Sequence, residues 1–142
     1  MTATLEDAIA LAADAHRGQL YPAPEPEPYI LHPLRVMLAV SPGRAQIVAV
    51  LHDVIEDTEL TLDDLRQRGF DDDTVHAVDL LSKRAGEPYM EYINRLAPDA
   101  LAREVKLADL DDNLANNRRL TPSDDTRARV ALFERARQAL LR

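Results

Sequence analysis

Apolar residues recur at helical spacing along almost the whole chain. Between Thr2 and about Arg17, Leu5, Ala8, Ile9, Ala12 and Ala13 fall three and four residues apart, the period of one helix face. Thr4 stands in the N-cap position, Asp7 lies three residues on where a capping box carries an acid, and Gly18 is a natural stop. Helix resumes near Pro33, a residue suited to a first turn, and Leu34, Val36, Met37, Leu38 and Val40 carry it to the break at Ser41-Pro42-Gly43. From about Arg44 to Glu56 the chain is apolar nearly all round (Ala45, Ile47, Val48, Ala49, Val50, Leu51, Val54, Ile55), which predicts a helix in the middle of the domain. Thr61 to Arg68, Asp73 to Ser82, Tyr89 to Leu96, Asp99 to about Asn116 and Ser123 to Leu141 complete a set of about eight helical segments.

One stretch interrupts this rhythm. In Tyr21-Pro22-Ala23-Pro24-Glu25-Pro26-Glu27-Pro28 alternate prolines forbid helix, and the segment reads as a stiff, extended surface loop. No alternating strand pattern and no internal repeat stands out. The expectation is an all-α helical bundle, one domain across residues 1–142.

Composition narrows the chemistry. Apolar residues make up 46% of the chain but aromatics only 4%, so the core should be Leu, Val, Ala and Ile with few large rings. The absence of cysteine excludes disulfides and thiolate metal ligands. No run approaches the ~18 apolar residues of a membrane span and no leader pattern opens the chain, so a cytoplasmic protein is expected. A net charge of −8 with no basic stripe excludes a general nucleic-acid binder. A small phosphorylated substrate remains compatible, because a bound divalent cation reverses the local field. Asp63-Asp64 and Asp71-Asp72-Asp73 read as solvated turn and helix-start clusters. No pattern in the chain specifies an oligomeric state.

Three short clusters carry candidate chemistry: His32-Pro33, His52-Asp53-x-x-Glu56-Asp57 and Asp109-x-x-x-Asn113. On a continuous helix His52 and Asp53 would stand about 100° apart and flank one ion between them. Glu56 falls four residues after His52 and Asp57 four after Asp53, so each pair shares a face. Charged groups closing so apolar a helix are costly unless paired or metal-bound. His32, His52, Asp53 and Asp109 make a mixed N/O ligand set suited to Mn²⁺, Fe²⁺ or Zn²⁺, with positions left for water and substrate. Such an ion acidifies a bound water, and Glu56 or Asp57 is placed to align that water or take its proton. Read alone, Asp109 could be a salt-bridge partner for Lys106, and His16 and His76 are ordinary structural or surface histidines.

Ala15-His16-Arg17-Gly18-Gln19, Pro28-Tyr29-Ile30-Leu31-His32-Pro33-Leu34, Leu51-His52-Asp53-Val54-Ile55-Glu56-Asp57-Thr58 and Val105-Lys106-Leu107-Ala108-Asp109 with Asn113 resemble the hydrolase domain of RelA/SpoT-type proteins, above all its stand-alone small hydrolases. The similarity runs from the first helix to about Leu120. The resemblance implies an all-helical HD fold and Mn²⁺-dependent removal of the 3′-pyrophosphate from guanosine tetra- or pentaphosphate. It implies metal ligation by His32, His52, Asp53 and Asp109, support of the hydrolytic water by Glu56 and Asp57, and a place for Asn113 beside the nucleotide. One departure stands out. Where the family carries an adjacent Arg-Lys pair after Gly-Gln, this chain has Leu20-Tyr21-Pro22, followed by Glu25 and Glu27. Tyr21 could stack on a base, Arg17 or Lys83 could supply a cation, and Tyr89 or Tyr92 could line the pocket. The same chemistry on another nucleotide or pyrophosphate metabolite stays open at this point, as does nucleotide binding without turnover.

Overall fold

The computed structural model describes residues 2–142. Local capping chemistry sets the helix starts. Thr4 Oγ1 accepts the Asp7 N–H at 3.2 Å while Asp7 Oδ2 accepts the Thr4 N–H at 2.8 Å, the reciprocal box expected of that spacing, and it opens α1 (Leu5–Ala15). Thr61 with Asp64 and Ser123 with Thr126 repeat the device at α5 (Leu62–Gln67) and α9 (Asp124–Leu140). Asp71 caps α6 (Asp72–Leu80) and Asp99 caps α8 (Ala100–Arg119). The remaining helices are α2 (Leu31–Leu38), α3 (Arg44–Leu51), α4 (Val54–Asp57) and α7 (Tyr89–Leu96).

All the helical segments expected from the sequence are present, and one of them is divided. The segment from Arg44 to Glu56 is not one helix: α3 ends at Leu51, His52 and Asp53 form a turn, and α4 is a single turn. The last turn of α3 tightens to a bond from His52 N to Ala49 O, and Asp53 sits at φ −104°, ψ −2°, in the sparsely populated bridge region where active-site residues often lie. Among the described residues this gives nine helical segments. The break also replaces the 100° divergence expected on a straight helix: His52 Nε2 and Asp53 Oδ2 lie only 3.0 Å apart.

The proline-rich stretch is likewise more ordered than expected. Leu20–Tyr21 (β1) and Glu27–Pro28 (β2) pair antiparallel, Leu20 opposite Pro28 and Tyr21 opposite Glu27. A strand pair this short tolerates Pro28 because it is all edge. The two-residue period turns Tyr21 inward, 5% exposed, and leaves Leu20 64% exposed.

Helix α3 is buried on every side, through Ala45, Val48, Ala49, Val50 and Leu51, and packs against α1, α2, α6 and α8. The surrounding core is Leu, Val, Ala and Ile, with Leu65, Val78, Ile93, Leu96, Val105 and Leu110 fully enclosed. Helix α9 closes the far side against α7 and α8. No helix among the described residues is long and apolar enough to cross a membrane. This packing brings the N-terminal turn of α2, the α3–α4 joint and the middle of α8 to one interior point.

Candidate metal centre

His32 comes from the first turn of α2, His52 and Asp53 from the α3–α4 joint, and Asp109 from the middle of α8. His32, His52 and Asp109 are almost fully enclosed. One donor atom from each of the four residues lies within 4.8 Å of all the others. Asp109 Oδ1 is 2.8 Å from His32 Nε2 and 3.1 Å from His52 Nε2, while Asp53 Oδ2 is 3.0 Å from His52 Nε2 and 3.7 Å from His32 Nε2.

Hydrogen bonding on the outer side of each ring shows what this convergence suits. His52 Nδ1 bonds the Ala49 carbonyl, which can only accept, so Nδ1 carries the proton. His32 Nδ1 lies 2.6 Å from Asp112 Oδ2, again an acceptor. With both Nδ1 positions donating, each neutral ring presents an Nε2 lone pair to carboxylate oxygens that are also acceptors. Acceptors facing acceptors in a buried site need a cation or an extra proton between them. The donor set therefore fits a divalent ion of borderline character.

The protonation behaviour of the protein alone says the same. Burial by itself disfavours the charged imidazolium of His52, but Asp53 and Asp109 outweigh it and hold its pKa well above the ordinary value. His32 is opposed by burial too, yet its bonds to Asp109 and Asp112 push it up to about 9. Burial would raise the carboxyls of Asp53 and Asp109. The neighbouring cations override this and hold both below the usual range, His52 foremost for Asp53 and Lys106 foremost for Asp109.

Lys106 fixes the other half of Asp109. Its ammonium lies 2.8 Å from Asp109 Oδ2 and rests over the rings of Tyr92 and Tyr89, at 5.1 and 5.8 Å. Asp109 is thus the salt-bridge partner of Lys106 through one oxygen and a member of the cluster through the other. Beside Asp53, the Tyr29 hydroxyl donates to Asp53 Oδ2 at 2.6 Å and lies 3.2 Å from Asp57 Oδ2.

No protein-family model matches the chain. Over 150 residues it is 35% identical to the guanosine-3′,5′-bis(diphosphate) 3′-pyrophosphohydrolase MESH1 of Mus musculus, covering 97% of this chain and 83% of that protein. The chain belongs to the guanosine-3′,5′-bis(diphosphate) 3′-pyrophosphohydrolase family. The Homo sapiens MESH1 is 36% identical over 151 residues, with 97% and 83% of the two chains covered. The bifunctional (p)ppGpp synthase/hydrolase SpoT of Escherichia coli is 32% identical over 142 residues, matching 89% of this chain and 20% of SpoT. A solved structure of a metazoan ortholog of SpoT that hydrolyses ppGpp has the same fold, at a TM-score of 0.81 and 24% identity over 100% of this chain and 87% of that one.

Against this all-helical HD-type family fold, the other residues singled out in the sequence fall into place unequally. Glu56 and Asp57 sit on α4 at the edge of the cluster. Burial pushes Glu56 up, and burial followed by the Asp53 charge pushes Asp57 up, so both are poised to hold a proton more readily than surface acids. Asn113 is part of the centre: its amide donates to Asp109 Oδ1 at 3.2 Å and its carbonyl accepts from Tyr21 at 2.6 Å. Tyr21 is not an open platform for a base. Its ring stacks on His32, centroids 4.8 Å apart and 7° from parallel, with the Arg35 guanidinium 5.3 Å above the ring. Lys83 reaches Glu56 through its backbone N–H, while its ammonium bonds the Arg84 carbonyl. Arg17 is exposed and pairs with Asp14, outside the cluster. Of the two tyrosines considered for the pocket, Tyr92 is buried with its hydroxyl on the Leu81 carbonyl, and Tyr89 packs beside it.

Three participants escape a reading by spacing alone: Tyr29, Asp112 and Arg35. Asp112 lies between Asp111 and Asn113, in a run where local acidity hides it. His16 is buried, its ring tilted 40° against Tyr29 at 4.8 Å with Nδ1 2.8 Å from Gln19 Oε1, and Gln19 in turn donates to the Asp57 carbonyl at 2.8 Å.

Proposed function

We propose that this chain is a manganese-dependent pyrophosphohydrolase that removes the 3′-pyrophosphate of guanosine tetra- or pentaphosphate, with His32, His52, Asp53 and Asp109 holding the ion. One observation carries the reading: both imidazoles keep their protons on the outer side, so two Nε2 lone pairs and two carboxylates face one buried point. A divalent ion there acidifies a water and offsets negative charge on a phosphoryl group.

The chain's own residues supply the rest. Glu56 or Asp57, their carboxyls raised by burial, would accept the proton of the attacking water as its oxygen bonds to the phosphorus nearest the ribose. The bond from that phosphorus to the 3′-oxygen breaks, pyrophosphate leaves with the new oxygen, and the 3′-oxygen takes up a proton as the nucleotide's free hydroxyl. Tyr29 bridges Asp53 and Asp57, so a ligand and a proton acceptor keep one relative position. A cavity of about 480 Å³, within the size range of small-ligand pockets, is lined by Tyr21, Asn113, Asn116, Asn117, Arg129 and Phe133, of which Tyr21 touches His32 and Asn113 touches Asp109. Its amides and Phe133 suit a nucleoside, and Lys83 is joined to Glu56 by its backbone N–H. The same reading places the protein in the cytoplasm with a nucleotide as its small-molecule substrate.

The test is release of pyrophosphate from labelled guanosine tetraphosphate by the purified, Mn²⁺-loaded protein, run beside a panel of other nucleotides. Release only from the guanosine tetra- and pentaphosphates supports the proposal. A faster reaction on another nucleotide overturns the substrate and leaves the metal chemistry standing, whereas no turnover of any compound by folded, loaded protein overturns the enzymatic reading.

A further inference from the structure

The outer side of His32 is held by a chain of ion pairs that ends on the hairpin. His32 Nδ1 lies 2.6 Å from Asp112 Oδ2. Arg35 grips the same carboxylate with two nitrogens, Nε 2.8 Å from Oδ1 and Nη2 3.2 Å from Oδ2, and its third nitrogen, Nη1, is 2.6 Å from Glu27 Oε1. Glu27 belongs to β2 and pairs across the ladder with Tyr21, whose ring lies flat on His32. The hairpin therefore bears on one imidazole twice, by ring stacking and through Glu27, Arg35 and Asp112.

We propose that Asp112 is a positioning residue for the metal centre: it fixes the ring angle and tautomer of His32, and Arg35, anchored by Glu27, fixes Asp112. The inference rests on the metal reading above. Its physical basis is that a neutral imidazole binds a metal through one nitrogen only if the proton is kept on the other, and a carboxylate acceptor there also raises the basicity of the binding nitrogen. The Arg35 fork spans both oxygens of Asp112 and so sets the plane of the carboxylate. Neighbouring Asp111 provides the contrast: it pairs with Arg137 on α9 and has no part in the chain.

The experiment is a Mn²⁺ titration of the purified full chain by calorimetry, with the thermal midpoint of each metal-free variant measured alongside. Asp112→Ala should weaken Mn²⁺ binding about 10- to 100-fold, the usual effect of removing an outer partner of a ligating histidine. Asp112→Asn, which keeps an acceptor for Nδ1 but loses the charge and half of the Arg35 fork, should recover part of that affinity. Glu27→Gln should give a smaller loss in the same direction, and Asp111→Ala none. A purely structural role would lower the thermal midpoint and leave Mn²⁺ affinity unchanged, and that result in folded Asp112→Ala and Asp112→Asn overturns the inference. Failure of the wild-type chain to bind Mn²⁺ would instead remove the metal reading, and the inference with it.

Discussion

The Tyr29 hydroxyl donates a 2.6 Å hydrogen bond to Asp53 Oδ2, linking the end of the hairpin to the α3–α4 joint. The Tyr29 hydroxyl oxygen also lies 3.2 Å from Asp57 Oδ2, so one phenol ties two carboxylates of different proposed duty. Burial and the adjacent Asp53 charge push the Tyr29 pKa up, so it remains a donor throughout the working pH range. Tyr29→Phe should fold normally and lose about 10- to 100-fold in kcat/KM with Mn²⁺ present, as expected for an outer partner of a ligand. Steady-state kinetics beside a thermal melt will separate this from simple destabilisation.

Asp109 serves the cluster and Lys106 at once, so its replacement has two consequences. Asp109→Ala should abolish Mn²⁺ binding. It should also cost about 3–5 kcal/mol of stability, because the buried Lys106 ammonium is left without its counter-charge. Urea unfolding gives the second number. Equal stability of variant and wild type would show that the Lys106 charge finds another partner.

Tyr21 contributes its ring and its hydroxyl to different neighbours. Tyr21→Phe keeps the stack on His32 and removes only the bond to Asn113, so Mn²⁺ affinity should hold while KM changes. Tyr21→Ala should weaken metal binding as well, because the face of His32 is then uncovered. Paired calorimetry and kinetics on the two variants will show whether ring and hydroxyl act separately.

At the start of α6, Asp71 accepts from the Thr74 N–H and from Arg44. The Arg44 bond comes first, with the Thr74 N–H behind it, in holding its carboxyl down at about 2 against an ordinary 3.8. A depressed folded-state pKa means that the contribution is complete above 3.8 and is lost as the pH falls toward 2. Asp71→Asn keeps the cap but not the charge. Because the Arg44–Asp71 pair is largely exposed, it should cost under about 1 kcal/mol at neutral pH, and the gap from wild type should close between pH 4 and 2 in denaturant titrations. Asp71→Ala, which loses the cap too, should cost about 1 kcal/mol more.

Much of the fold was legible in the chain because its determinants are local. The capping box of Thr4 and Asp7, the apolar surround of α3 and the stop at Gly18 each act within a few residues. The candidate ligands were legible for a related reason: His52 and Asp53 interrupt an apolar segment where unpaired charge is costly. The break between α3 and α4 was not, because nothing in the backbone propensities of Leu51-His52-Asp53-Val54 demands it. It goes with His52 meeting Asp109, 57 residues further on, and with Asp53 turning back onto the His52 ring.

The chain alone specified the helical segments apart from the α3–α4 break, the composition of the core and the four residues suited to a divalent ion. Tertiary structure decided which atoms of those residues face one another. It also decided that Tyr29, Asp112 and Arg35 stand behind them, and that Tyr21 spends its ring on His32 and not on open solvent. The division has a physical cause. Periodicity and capping are interactions between near neighbours, whereas His32 and Asp112 lie 80 residues apart and become partners only when α2 and α8 pack on α3.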